Sequence, residues 1–292
     1  MCGIVGLFLK RSGLEPQLGA HLAAMLSTMR ERGPDSAGFA VYGAEDGAIK
    51  LSLRGPAGTD FAALATALGV GVAIRDTHAV LHVPPAQVDA VRATLGQMAP
   101  EVTLVGEGRR MELYKETGLP GDVAARFGLA GMQGTHGIGH TRMATESAVT
   151  TDGAHPYTTG PDQCLVHNGS LSNHNALRRN LIREGFSFDT ENDTEVAAAY
   201  LSWRMRLGEG LEGALNAGLR DMDGFFTFVV GTRTGFAVLR DPIGCKPAVM
   251  AETEDWVGFG SEYRALAELP GIGQARVWEP EPARVYAWER AA

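Results

Sequence analysis

A thiol stands at the second position of the chain. Cys2 follows Met1 and opens the apolar run Gly3-Ile4-Val5-Gly6-Leu7-Phe8. Removal of Met1 would leave one residue carrying both a nucleophilic sulfur and a free α-amine. The reference pKa of such an amine, near ~8, leaves a useful neutral fraction at pH 7. Nucleophile and base would then be one residue, the logic of N-terminal-nucleophile catalysis. The opposing reading is a small buried hydrophobe at the start of a strand. Other chemistry-bearing residues sit where the chain must turn or an element must begin. Gly33 and Pro34 force a turn within Arg32-Gly33-Pro34-Asp35-Ser36. Asn168-Gly169 is a strong hairpin-turn signal. Asp193-Thr194-Glu195 reads as a helix start, with acidic residues matched to the helix dipole. His78 and His82 share one strand face, but no third ligand accompanies them, so a packed strand is favoured over a metal pair.

These residues need elements to position them. Ile4 to Leu9 reads as a buried strand, and Gln17 to Arg30 as a helix with Leu18, Leu22, Met25, Leu26 and Met29 on one stripe. Phe39 to Tyr42 and Ile49 to Leu53 read as a hairpin turning at Asp46-Gly47. From about 55 to 134 the texture changes to a small α+β unit: a helix over Phe61 to Leu68, a strand over Val72 to Val83, a helix from Pro84-Pro85 to Met98, then two strands and a helix. Beyond it, strands at His136 to Thr141 and Leu165 to His167 precede helices at Asn173 to Glu184, after Asp193, and at Leu211 to Met222. Strands then dominate, with Ser261 capping a short helix through Leu269. Strand runs separated by helices imply packed antiparallel sheets with helices outside them, an α+β fold.

Composition narrows the classes. The 292 residues, 45% hydrophobic and 21% charged, suit a globular chain with a full core. A formal charge of -8 argues against nucleic acid as a partner. No apolar run approaches the ~20 residues of a membrane span, and no basic stretch precedes the N-terminal apolar run as in a signal peptide. Cys2, Cys164 and Cys245 show no paired spacing, so neither a disulfide framework nor a metal site is expected, and a reducing cytoplasm fits best.

Eight segments, in order, carry a family resemblance: Cys2-Gly3-Ile4-Val5-Gly6, Arg32-Gly33-Pro34-Asp35-Ser36, Gly139-His140-Thr141-Arg142-Met143-Ala144-Thr145, His155-Pro156, His167-Asn168-Gly169-Ser170-Leu171-Ser172-Asn173, Asp193-Thr194-Glu195-Val196, Arg240-Asp241-Pro242-Ile243-Gly244-Cys245-Lys246-Pro247 and Gly260-Ser261-Glu262. Together they resemble the class II glutamine amidotransferase domain of the N-terminal-nucleophile hydrolases. The resemblance implies a four-layer αββα fold over 2–292, interrupted by the α+β unit at about 55–134. It implies Cys2 as nucleophile, with the Asn168 amide and the Gly169 N–H as the oxyanion hole. It implies Arg142 on the α-carboxylate of glutamine, Asp193 on the α-ammonium, and Thr145 in the same pocket. Arg32 is expected beside the nucleophile, where a cation would lower the thiol pKa. His155 and His167 are expected to be structural. Met143 and Glu146 depart from residues common in relatives, and the insert is longer than in most of them.

No segment reads as an ammonia-using synthase or a nucleotide loop. With its insert, the chain resembles stand-alone amidotransferase subunits of glutamate-synthase-like complexes, such as that of N-methylglutamate synthase. The expectation is then no cofactor in this chain, and separate synthase subunits, one binding FMN. Two rival readings are a free-standing γ-glutamyl amide hydrolase and a non-catalytic glutamine-sensing subunit.

Overall fold

All seven residues of β1 (Gly3–Leu9) are buried, which requires apolar layers on both faces. Successive strand side chains point to opposite faces. Val5, Leu7 and Leu9 accordingly enter one core cluster and Ile4 and Phe8 another. The computed structural model describes residues 2–144 and 148–290.

After β1 come α1 (Leu18–Thr28), β2 (Ser36–Tyr42), β3 (Ile49–Arg54), α2 (Phe61–Leu68), β4 (Gly71–Arg75), β5 (His78–Val83), α3 (Val88–Met98) and β6 (Thr103–Gly108). The chain continues through β7 (Met111–Thr117), α4 (Pro120–Arg126), β8 (His136–Arg142), β9 (Tyr157–Gly160), β10 (Gln163–Leu171), α5 (His174–Arg183), α6 (Asp193–Arg206) and α7 (Leu211–Asp221). It ends with β11 (Gly224–Gly231), β12 (Gly235–Arg240), β13 (Val249–Glu252), β14 (Trp256–Gly260), β15 (Arg276–Trp278) and β16 (Val285–Glu289).

Two antiparallel sheets stack face to face. One has the order β15-β13-β14-β1-β8-β2-β7, the other β16-β12-β11-β10-β9. Ile4, Phe8, Tyr42 and Ile138 of the first meet Val166, Val229, Phe236 and Val238 of the second in the middle core. Each such buried side chain is worth roughly 1.5–3 kcal/mol. The stripe Leu18, Leu22, Met25, Leu26 and Met29 covers the outer face of the first sheet, and α5 to α7 cover that of the second through Leu181, Val196, Tyr200 and Leu215. The result is the expected α+β architecture of helix, sheet, sheet and helix.

Three expectations are corrected. β2 and β3 do not form a hairpin: β2 lies between β7 and β8, while β3 lies between β5 and β6 in a separate four-stranded sheet, β4-β5-β3-β6. Every residue of β2 is buried, because it pairs with β7 and β8 on its two edges and is covered on both faces. Val72 to Val83 is two strands, reversed at Asp76, which adopts φ 54, a backbone region aspartate tolerates better than most residues. The extra sheet spans 49–108 rather than 55–134. Met111 and Leu113 of β7 join the middle core, and Val123 and Phe127 of the α4 region pack with α1. No described helix is long and apolar enough to cross a membrane.

Candidate functional site

The site lies where the ends of β1, β8 and β10 meet the start of α6. A cavity of about 610 Å³ is lined there by Cys2, Arg142, His155, Asn168, Gly169 and Asp193, among others. Residues far apart in the chain are thus brought together, as the motifs imply. Thr145 lies outside the described residues, as do Met1 and Glu146.

Cys2 is held by its backbone. Its carbonyl accepts from Asn168 Nδ2 (3.2 Å) and from Arg32 Nε (3.0 Å). Arg32 also pairs with Glu262 (2.7 Å), so its guanidinium engages the Cys2 carbonyl and a carboxylate. Its turn packs tightly: a Cβ on Gly33 would lie 2.4 Å from the Thr141 carbonyl carbon. Next along β1, Ile4 N–H donates to Ser261 Oγ (2.9 Å). Ser261 therefore fixes the nucleophile's strand, and the helix expected to follow it is only a short 3-10 turn over Tyr263–Ala265.

Asn168-Gly169 is not a turn. β10 runs straight through it, with Asn168 opposite Thr227 and Gly169 opposite Phe226 on β11. Gly169 has φ 152, and a Cβ there would stand 2.0 Å from the Phe225 carbonyl oxygen. Only glycine fits, because the neighbouring strand occupies the side-chain space.

Asn192 caps α6 by accepting from Thr194 N–H (2.8 Å), leaving Asp193 as the first helical residue. Asp193 accepts the Leu171 N–H (2.9 Å) and faces His167 Nδ1 (3.5 Å). Burial would raise its carboxyl, but the His167 contact and charge and the Leu171 N–H outweigh burial and hold it at about 2. The cavity thus keeps an anion suited to an ammonium. Opposite charge is available at Arg142, which ends β8, is 7% exposed, and donates from Nη1 to Ala148 O (3.4 Å).

A stack of imidazoles lies beneath. His140 and His155 have ring centroids 4.0 Å apart. His155 Nε2 and His167 Nδ1 both meet Thr194 Oγ1, at 2.8 and 3.0 Å. His140 Nε2 donates to the His167 carbonyl (3.0 Å). Burial lowers His140 to about 3 and His155 well below the usual value, so both are neutral packing groups. Sequence reasoning missed His140 and Thr194 as supports; their signal was only their place within motifs. It also missed Lys246 and Asp152 on the cavity wall. Among the described residues no three His, Cys, Asp or Glu side chains gather to hold a metal ion.

Comparison with known proteins bears on the family and the fold. A family profile described as a glutamine amidotransferase domain matches residues 140–268. A glutamine amidotransferase-like protein, GlxB of Rhizobium meliloti (strain 1021), is 61% identical over 296 residues, covering 99% of this chain and 98% of its own. A glutamine–fructose-6-phosphate aminotransferase of Xylella fastidiosa is 35% identical over 124 residues, 42% of this chain and 20% of that protein. Among solved structures, the glutamine phosphoribosylpyrophosphate amidotransferase of B. subtilis aligns with a TM-score of 0.65 at 20% identity, over 99% of this chain and 47% of that one, a likeness of fold.

Proposed function

This chain belongs to the class II glutamine amidotransferase family, and from that premise we propose that Cys2 is the nucleophile that takes nitrogen from glutamine. The observation that carries the reading is the single cavity shared by Cys2, Asn168, Arg142 and Asp193. With Met1 removed, the α-amine accepts the thiol proton and the thiolate adds to the side-chain carbonyl of glutamine. The Asn168 amide and the Gly169 N–H donate to the resulting oxyanion. The C–N bond breaks as the α-ammonium returns the proton, releasing ammonia and leaving a γ-glutamyl thioester. Water hydrolyses the thioester to glutamate and restores the thiol. Arg142 takes the α-carboxylate through its planar fork, and Asp193 the α-ammonium.

The ammonia passes to a separate synthase subunit, in a complex of the glutamate-synthase or N-methylglutamate-synthase kind, with FMN in the partner. The resemblance of the chain, with its insert, to the amidotransferase subunits of such complexes supports this. The test has two arms. Active protein should lack Met1 by intact mass and release glutamate and ammonia in equal amounts from glutamine; active protein retaining Met1 would remove the α-amine mechanism. Affinity purification from the native cell should bring down a flavin-containing subunit, and recovery of an active chain without partners would favour a free-standing hydrolase.

A further inference from the structure

Behind the cavity wall lies a lysine that the chemistry above does not use. Lys115 projects from β7 and is 7% exposed. Its ammonium donates to the carbonyls of Asp152 (3.2 Å) and Ala154 (3.0 Å) and sits 4.6 Å from the centre of the Tyr157 ring. An ammonium is strongly hydrated, and enclosing one is costly unless its hydrogen bonds are replaced. Burial accordingly lowers Lys115 to about 8, with Asp152, Glu195 and Asp189 acting against the shift and Arg54 adding to it. An apolar side chain would fill the space without that cost but would leave the buried Ala154 carbonyl unpaired, while the Asp152 carbonyl would keep only the Tyr157 hydroxyl (3.1 Å).

Both carbonyls belong to the segment that walls the cavity beside Arg142. Ala148, Asp152, Gly153 and His155 all line it. Gly153 packs so closely that a Cβ there would be 3.1 Å from Arg142 Nη1. Two further contacts grip the segment. Arg54 Nη1 pairs with Asp152 Oδ1 at 2.5 Å, and the Thr151 hydroxyl donates to Glu116. Arg54 is the last residue of β3, the first strand of the extra sheet.

We infer that Lys115 and Arg54 are positioning residues for glutamine: they hold the 151–154 wall in the shape that lets Arg142 receive the α-carboxylate, so the extra sheet bears on substrate affinity. The inference rests on the reading of this cavity as the glutamine site. Neither residue touches the reacting atoms, so their loss should act on affinity and spare the chemical step.

The test measures glutamine binding by calorimetry in the Cys2→Ala background, and KM and kcat in the active enzyme. Lys115→Met should weaken binding and raise KM about tenfold, the order of one charged hydrogen-bond group, with kcat within about twofold; Lys115→Arg should recover most of the loss. Arg54→Gln, at a partly exposed ion pair, should cost about threefold. Unchanged affinity in both variants would overturn the inference. Loss in Lys115→Met with none in Arg54→Gln would keep Lys115 and overturn the link to the extra sheet. Should Lys115→Met fail to fold, Arg54→Gln decides alone. A parent protein that does not bind glutamine would overturn the underlying reading and this inference with it.

Discussion

The two-sheet sandwich and the small four-stranded sheet are built by different means. In the sandwich, β1 pairs with β8 and β14, strands that lie far along the chain. In the small sheet, β4 and β5 are neighbours joined at Asp76, and Leu51, Leu53, Phe61, Leu81, Val91 and Leu95 form a core of their own. Every cavity-lining residue given a chemical role above comes from the sandwich or the start of its helix α6. Pairing between distant segments costs loop entropy, but it sets a thiol, an amide, a cation and an anion side by side. The local unit has a core of its own and, among the described residues, reaches the wall of the site through Arg54.

That contrast can be broken by substitution. The largest expected effect is Cys2→Ala: ammonia release should vanish while calorimetry still finds glutamine bound. Turnover surviving in this variant would move the chemistry elsewhere. Next, Asn168→Ala should cut kcat by ~100-fold or more, as the loss of an oxyanion donor does elsewhere; normal turnover would remove Asn168 from the mechanism.

Acid should strike the sandwich through three histidines and the small sheet through one, His78, which burial lowers to about 4. His136 and His140 are held at about 3 and His155 well below its usual value, all by burial. Their folded pKa values lie below the unfolded value near ~6.5, so acid protonates the unfolded chain first and stability falls as pH drops below that point. The cost at pH 5 is roughly 2 kcal/mol for each histidine. Urea midpoints should therefore fall between pH 7 and pH 5, and His140→Gln should flatten the slope; a pH-independent midpoint would show that these rings charge without cost.

The smallest expected effects on turnover lie in the extra sheet. Leu81→Ala should lower the stability of that sheet by about 2–5 kcal/mol, seen as faster hydrogen exchange confined to 49–108, with kcat within about twofold. Replacing 49–108 by a short linker should preserve hydrolysis, raise KM, and abolish any acceleration by synthase subunits. Normal stimulation of the excised protein would show the sheet to be decoration.

Short-range chemistry was legible in the sequence. The buried strand at Cys2, the stripe on α1, the stop at Gly33-Pro34 and the start of α6 all depend on residues within a few positions of one another. Strand partners were not legible. An apolar alternation such as Met111, Leu113 shows that β7 has a buried face but not which sheet receives it, so β7 fell with the insert although it pairs with β2. Asn168-Gly169 was ambiguous for the same reason. The dipeptide favours a turn in isolation, and only the approach of β11 shows that glycine serves the close packing of two strands. His140 carried no local mark, since a histidine on a buried strand looks the same whether or not another ring stacks on it.

The central place of β1 has a consequence for synthesis. Gly6 lies opposite Phe259. On a ribosome adding about 5–20 residues per second, the strand bearing the thiol waits roughly 13–50 seconds for that partner to emerge. Until then the first sheet has an open seam at its centre, and Ser261 and Glu262 are absent from their posts beside Ile4 and Arg32. Closure of the seam then completes the backbone clamp around Cys2 in one late event.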